Sequence, residues 1–306
     1  MASLPSHYGT SFTPTTHTTV PANIDPTTVT LPQPFVAVVT GAGKGLGWHI
    51  SLAYAMAGCS GLAISSRTME DLEALEHEIG KIAAASGKAV DVLKSVCNVQ
   101  SDASVRELEE NVRRRWGRVD VVIANAGVIS KYVDKGGAGS NLPQGVVEDE
   151  DWARVLDINL MGVWRVSKAF TPLLLTSPNG IKTLIYSSSL AAHNSNSELC
   201  PIAYNVSKMA CNRLIEHIAN DHDICAFALH PGAVLTPQTQ HHTGAVWDTL
   251  LRDDAGLAGA FCVWLSRERR GWLSGRYVSC NWDVDELEGM KSDIVEGDKL
   301  KFRMVV

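Results

Sequence analysis

Short apolar runs alternate along this chain with longer stretches in which apolar residues recur every three or four positions. Phe35–Val39, Leu62–Ser65, a run within Val90–Val99, Val119–Ala124, Leu184–Tyr186, Ile224–Leu229 and Tyr277–Ser279 are the short runs. Between the second and third, Leu72, Leu75, Ile79 and Ile82 fall at helical spacing, and the preceding Thr68-Met-Glu-Asp71 has capping-box form. Val105, Leu108, Val112 and Trp116 mark one face of a further helix, and Trp152, Val155, Leu156, Val163 and Val166 belong to a long one starting near Glu150. Other helices are expected at Trp48–Ala57, 204–220 and 255–266. Val119–Ala124 reads as a continuous apolar strand of the kind buried on both sides. Seven β units alternating with helices predict an α/β fold, a doubly wound parallel sheet of about seven strands with helices on both faces, because parallel neighbours need crossover connections. Ligands in such sheets sit at the carboxyl ends of the strands, so the residues just after each strand carry the most information.

Composition sets the outer limits. The chain has 306 residues, near the upper end for one core, and residues 35–306 read as a single domain. Residues 1–34 are rich in Thr and hold six prolines; with little to bury, they read as an extended arm, loose or laid across the body. The net charge of -6 offers no basic field for a phosphate backbone, which argues against nucleic acid as a partner. No run approaches the ~20 apolar residues that span a bilayer, and no basic-then-apolar leader opens the chain, so a membrane is not expected and the cytoplasm is the default location. The seven cysteines lack C-x-x-C spacing and mostly sit in apolar runs, the pattern of free buried thiols. His241-His242 has no Cys or carboxylate cluster beside it, and no metal site is expected.

Two motifs carry chemistry. Thr40-Gly-Ala-Gly-Lys-Gly-Leu-Gly47 follows the first strand and opens the first helix. Glycines there allow a tight turn, and a helix N-terminus presents unpaired N–H groups to a pyrophosphate. Tyr204-Asn-Val-Ser-Lys208 puts a phenol and an ammonium at i and i+4, on one helix face. A phenol with pKa ~10 is a poor base at neutral pH; a neighbouring ammonium favours the phenolate.

The spacing Thr-Gly-x-x-x-Gly-x-Gly, together with the tyrosine–lysine pair, resembles the short-chain dehydrogenase/reductase family, single-domain type, over roughly residues 34–285, and this resemblance implies a Rossmann-like fold. It assigns Gly41, Gly43, Lys44, Gly45, Leu46 and Gly47 to the cofactor phosphates. In this family a small residue followed by Arg after the second strand accommodates the extra phosphate of NADP, whereas an Asp there selects NAD. The chain has Ser66-Arg67, with Lys44 as a second cation, so NADP(H) is the expected cofactor; two cations converging on a phosphate dianion make charge-assisted hydrogen bonds. Asn98-Val99 stands where the family usually has an Asp near the adenine, a departure that bears on affinity. Asn125-Ala126-Gly127 matches the family's Asn-Ala-Gly element, and Pro231, Gly232, Val234 and Thr236 match the Pro-Gly turn beside the nicotinamide.

The resemblance also assigns the catalytic set. Ser187, Ser188 and Ser189 end the fifth strand where the family has its serine; Ser189 is preferred because Leu190-Ala-Ala192 matches the small-residue turn that follows. Fifteen positions separate it from Tyr204, slightly more than usual, which leaves Ser188 as the alternative. Asn159 matches the helical asparagine that completes the tetrad with Ser189, Tyr204 and Lys208. Implied is a hydride transfer between nicotinamide and a carbonyl or alcohol carbon, with Tyr204 handling the proton, Ser189 orienting the oxygen, and Lys208 lowering the tyrosine pKa. His230 replaces a common Asn and receives no role.

Substrate selection falls to three segments: 128–149, with the mobile-looking run Gly136–Gly139; 190–202; and a lid near 234–256 whose Trp247, Leu250 and Leu251 either cover an apolar substrate or pack the lid itself. Gly275–Asp283 is similar to the ending of many fungal members, several of them associated with secondary metabolism. The helices at 150–170 and 204–220 are those that family members use to assemble, so a homodimer or homotetramer is expected. Two other uses of this fold compete with an NADPH-dependent reductase: a cyclase or isomerase, and a cofactor-binding regulator.

Overall fold

Strand β1 (Val36–Thr40) is buried at every position because it lies inside a sheet covered on both faces. Its neighbours are β2 (Gly61–Ser66) and β4 (Val121–Ala124); β3 (Asp91–Val96) forms one edge beyond β2, and β5 (Thr183–Ser187), β6 (Cys225–His230) and β7 (Arg276–Ser279) continue beyond β4. The order is therefore 3-2-1-4-5-6-7, with every pair parallel. This is the doubly wound sheet that the alternation of runs predicts. The computed structural model describes residues 5–136 and 139–304; the mobility expected of Gly136–Gly139 centres on Gly137 and Ala138, which lie outside them.

Helices α1 (Gly45–Met56) and α2 (Met69–Ser86) cover one face; α3 (Asp102–Trp116) covers the other. Two short helices, α4 (Gly145–Glu148) and α5 (Trp152–Leu156), precede the long α6 (Gly162–Thr176) and α7 (Ile202–Asp221), and α8 (Ala245–Leu250), α9 (Ala255–Ser266), α10 (Val284–Gly289) and α11 (Lys291–Glu296) complete the chain. Alternation along the strands divides the core in two. Ala37 and Val39 face a cluster with Ile50, Tyr54, Leu72, Leu257 and Phe261, while Val36 and Val38 face Leu108, Val112, Phe170 and Ile215. Val105, Leu108 and Val112 are buried along α3, as their spacing predicts.

Local chemistry shifts several boundaries. Asp120 interrupts the apolar run that opens at Val119: its carboxylate accepts from Val36 N–H at 2.8 Å and pairs with Arg118, so β4 starts only at Val121. The helix expected from Glu150 is broken by a π-helical turn at Asp157–Met161. Thr68 caps α2 without a side-chain hydrogen bond, so no capping box forms; Ser66 Oγ donates to its carbonyl instead, and Asp71 is engaged elsewhere. All seven cysteines are free thiols, and among the described residues no helix is long and apolar enough to cross a membrane.

The arm has more to bury than its composition suggests. Ile24 and Leu31 are fully buried in the α1/α9 core. Thr16 pairs with Trp282 in an isolated bridge, His17 Nε2 meets Asp283 Oδ2 at 2.8 Å, and Trp282 Nε1 donates to the Gly9 carbonyl. Residues 5–34 are thus stitched to the segment just beyond β7.

Candidate active site

The sheet reverses its winding direction between β1 and β4, and the crevice at their carboxyl ends is where such sheets bind ligands. A cleft of about 540 Å³ opens there, within the usual range for small-molecule sites. Gly41, Gly43, Lys44, Gly45, Leu46, Ser66, Arg67, Asn98, Val99, Asn125, Ala126, Gly127, Tyr204, Lys208, Pro231 and Thr236 line it. Residues scattered over most of the chain thereby converge, because each follows a strand or opens a helix.

At one end the glycine loop turns into α1. Gly41 and Gly45 have φ of +65° and +58°, conformations that favour glycine, and a Cβ on Gly41 would sit 2.9 Å from Ala126 Cα. Gly47 lies behind the cleft, packed against the Gly41 carbonyl. Thr236 crosses over Gly45, its Cβ 3.4 Å from where a Gly45 Cβ would be. Asn125 ties three strand ends together: Nδ2 donates to the Thr40 and Gly41 carbonyls, and Oδ1 accepts from Ser187 Oγ at 3.0 Å. Asn98 Oδ1 accepts from Gln100 N–H at 3.1 Å, which fixes the turn after β3. The narrow glycine corner, the helix start and an elongated polar cleft fit a dinucleotide.

Tyr204 and Lys208 stand at the other end, in the first turns of α7. Lys208 is buried; its Nζ donates to the Ser187 carbonyl at 2.7 Å and lies 5.2 Å from the Tyr204 ring centroid and 4.9 Å from that of Tyr186. Ser189, like Asn159, is not part of the cleft lining; its hydroxyl accepts from Ala191 N–H at 3.1 Å and acts on the Tyr204 phenol. Ser187 and Ser188 line the cleft, but Ser188 Oγ donates to Asn212 Oδ1 at 2.6 Å and Ser187 Oγ to Asn125 Oδ1 at 3.0 Å, which leaves Ser189 as the serine that acts on the Tyr204 phenol. Half-buried His230 accepts from Leu190 N–H through Nδ1 at 3.1 Å, and desolvation holds it neutral by pulling its pKa down to about 3. It anchors the turn that carries Ser189, a role its sequence position does not reveal.

Asn159 sits in the π-helical turn, a distortion common at functional sites. Its side chain is fully buried, accepting from Val128 N–H at 2.8 Å and donating to the Val128 carbonyl at 2.9 Å and to Ser207 Oγ at 3.1 Å. Its own carbonyl accepts from Cys211 Sγ at 3.2 Å. Asn159 therefore locks the turn after β4 to α7 one residue before Lys208.

The electrostatics differ from expectation on one point. Burial pushes the Tyr204 phenol above its ordinary value, Cys200 adds to the rise, and the Ser189 hydroxyl opposes it. Burial also pulls Lys208 down to about 8. The expected lowering of Tyr204 by Lys208 is absent because the ammonium faces the phenol's ring and gives its hydrogen bond to a carbonyl.

Gly232 and Val234 do not reach the cleft wall. Gly232 (φ +84°) packs against Asp253, whose carboxylate accepts from Ala233 N–H at 2.6 Å and from Asn281 Nδ2 at 3.0 Å; Val234 is buried, its carbonyl accepting from Thr239 Oγ1. Sequence reasoning missed Asp71, which lines the cleft and pairs with Lys44 at 3.3 Å; its place on the first turn of α2, facing the glycine loop, was the available signal. It also missed the clasp between two loops, in which Tyr132 donates to the Gln238 carbonyl and meets His242 Nδ1 at 2.9 Å, while His242 packs on Trp247 with ring centroids 4.5 Å apart.

A doubly wound sheet with a glycine loop at its switch point and, beside it, a cleft-lining tyrosine backed by a buried lysine defines a class of nicotinamide-dependent oxidoreductases. The chain belongs to the short chain dehydrogenase family, whose sequence model matches residues 35–245. It is 35% identical to the short chain dehydrogenase pgmD of Aspergillus terreus, over 100% of this chain and 98% of that protein. To the short chain dehydrogenase mpl6 of Monascus purpureus it is 34% identical, over 88% of each. Among solved structures, a short-chain type dehydrogenase/reductase from Mycobacterium marinum covers 82% of this chain and 94% of its own, with a TM-score of 0.67 at 22% identity, which speaks to the fold. An alcohol dehydrogenase from Thermococcus sibiricus, complexed with 5-hydroxy-NADP, is 26% identical and has a TM-score of 0.61, covering 81% of this chain and 96% of its own. At the level of the family, the protein is an oxidoreductase that acts on CH–OH or C=O groups with a nicotinamide cofactor.

Proposed function

We propose that the protein is an NADPH-dependent carbonyl reductase acting on a small, largely apolar metabolite, with Tyr204 as the proton donor. The observation that carries this reading is Tyr204 in the cleft wall beside the buried Lys208, at the end opposite the glycine loop, with Ser189 acting on its phenol. When bound, the cofactor supplies or accepts hydride at a carbonyl carbon. Gly41 to Gly47 and Asn125 would hold its phosphates, Arg67 and Lys44 the additional phosphate of NADP, and Lys208 its nicotinamide ribose. Ser189 orients the substrate oxygen, and Tyr204 protonates it as negative charge develops there. A phenol whose pKa is raised keeps its proton through the neutral range, which suits reduction better than oxidation. Asn159 and His230 keep these groups in register without touching substrate.

Fungal relatives and the form of the Gly275–Asp283 ending support a role in fungal secondary metabolism. Trp152, Met161, Trp164 and Met209 remain exposed on or between the α5, α6 and α7 helices, which supports a homodimer or homotetramer. The segment near 234–256 serves as the substrate lid, held to the 128–149 loop by the Tyr132–His242 clasp. Residues 35–306 act as one catalytic domain, with the arm as a brace. Incubation with NADPH and a panel of carbonyl compounds, alongside Tyr204→Phe, tests the reaction. Net product formation without NADPH oxidation would favour a cyclase or isomerase instead.

Cofactor preference has its own test. Arg67→Ala should weaken NADP binding about ten- to a hundredfold while leaving NAD within about twofold, since one charge-assisted contact to phosphate is worth roughly 1.5–3 kcal/mol. Equal losses for both nucleotides would remove Arg67 from the phosphate site.

The buried lysine sets a pH dependence. Below about 8 Lys208 carries its charge and can hold the nicotinamide ribose by charge-assisted hydrogen bonds, so reduction should hold steady near pH 7 and fall as pH rises through about 8. Its effect on stability runs the other way: burial penalises the ammonium below about 8, and this penalty is relieved as pH climbs towards the unfolded value of ~10.4. Tm measured against pH for wild type and Lys208→Met should differ in slope across that window; parallel curves would contradict the assigned shift.

A further inference from the structure

We propose that Asp71 sets how strongly this enzyme discriminates NADP from NAD, by neutralising Lys44 at the corner of the cleft where Arg67 stands. The proposal rests on the assignment of that corner to the additional phosphate of NADP.

Three charged side chains meet there. Arg67 follows β2, Lys44 lies in the glycine loop, and Asp71 occupies the first turn of α2; all three line the same cleft. Arg67 is exposed and makes no ion pair among the described residues. Lys44 is 65% exposed, whereas Asp71 is only 23% exposed, and their charged atoms are 3.3 Å apart. A Cβ built on Gly43 would come within 2.9 Å of Asp71 Cβ and 3.0 Å of Ser66 Cβ. The carboxylate is thus rooted against the loop backbone by a short side chain, while the two cations are long and mobile by their chemistry.

A helix start attracts acidic residues through its dipole, and that alone could place an Asp here. Glu70 already serves that purpose in the same turn, exposed and outside the cleft lining. What the dipole does not require is a carboxylate packed on Gly43 and paired with the loop lysine. Two cations and one carboxylate leave a net charge of about +1 to meet a phosphate dianion. The same carboxylate can accept a hydrogen bond from the ribose hydroxyl that NAD carries in place of the phosphate. Both effects act in one direction, holding the preference for NADP below what Arg67 and Lys44 would give alone.

The test is nucleotide binding by titration calorimetry, on the oxidised cofactors, with no substrate present. For two charges some 7 Å apart in a solvent-exposed site, removing one carboxylate facing a dianion corresponds to a change of about five- to tenfold at low salt. Asp71→Asn should therefore raise the ratio of the NAD to NADP dissociation constants by about five- to tenfold, with much of the gain lost when Lys44 is also alanine. Asp71→Glu, which keeps the charge, should stay near wild type. A ratio within about twofold of wild type in a folded Asp71→Asn protein would overturn the proposal, and a gain that persists in full without Lys44 would overturn the ion-pair mechanism. Arg67→Ala separates the two layers: if it leaves the ratio unchanged the phosphate corner itself is misassigned, whereas a response to Arg67 with none to Asp71 strikes only this inference.

Discussion

Tyr204→Phe is expected to lower kcat/KM for carbonyl reduction by about 10²- to 10⁴-fold, the usual contribution of a positioned general acid. The ring is held in α7 and faces the Lys208 ammonium at 5.2 Å, a contact that phenylalanine retains. Only the hydroxyl is lost, and with it the polar interaction with Ser189, a net stability change of about 1 kcal/mol at most. Folding and nucleotide affinity should therefore stay close to wild type while turnover collapses. The measurement is a steady-state assay of NADPH oxidation, paired with nucleotide titration and a melting curve. Turnover within about threefold of wild type, in a folded protein that still binds nucleotide, would remove Tyr204 from the proton path. Ser189→Ala should produce a smaller loss, because Ser189 orients the oxygen but supplies no net proton. Ser188→Ala should produce almost none in turnover, since that hydroxyl is committed to Asn212.

Much of this molecule can be read in the chain because the signals are local. A strand buried on both faces has to be apolar, and a glycine loop between a first strand and a first helix has few other uses. The seven strands and their parallel order follow from that alternation, and Tyr204 and Lys208 meet because i and i+4 share a helix face. What resisted reading depends on distant partners. Asp120 looks like part of an apolar run until Val36 and Arg118 supply reasons for a carboxylate there. Asn159 lies in what periodicity takes for a continuous helix, and only the contact with Val128 accounts for a π-turn at that point. His230 gains its role from Leu190, 40 positions away. Asp71 reads as part of a cap because the sequence shows it near a helix start and says nothing about the loop opposite. The arm reads as having little to bury since Ile24 and Leu31 are isolated apolar residues; they matter because α1 and α9 leave room for them. In each case the sequence names the residue type and the fold decides its partner.

The second large effect concerns the back of the glycine loop. Gly47→Ala is expected to abolish measurable nucleotide binding and to destabilise the fold by about 3 kcal/mol or more. A Cβ at position 47 would lie 2.2 Å from the Gly41 carbonyl oxygen, 2.8 Å from its carbon and 2.6 Å from Asn125 Nδ2. None of these is the free end of a flexible side chain. The Gly41 carbonyl belongs to the turn, and Asn125 Nδ2 is fixed by bonds to the Thr40 and Gly41 carbonyls. Relief requires α1 to move away from β1, yet α1 is clamped from its other side by α9, where Gly259 brings the helices so close that a Cβ would meet Ala53 at 2.7 Å. Overpacking in a rigid setting costs about 1–3 kcal/mol and sometimes more, and two backbone-level contacts place this site at the top of that range. The same displacement would pull the α1 N-terminus out of line with the cleft and break the Asn125 bridge between β1 and β5, so nucleotide binding should fail even where the fold survives at low temperature. Gly136→Ala, with no atom of the described residues within 4 Å of the added carbon, is the contrasting substitution; its φ of +61° makes it cost about 1 kcal/mol, with nucleotide affinity untouched. Melting temperatures and nucleotide dissociation constants for the two variants side by side decide the matter, and a Gly47→Ala protein that binds nucleotide within about threefold of wild type would show that the loop can yield where this packing says it cannot.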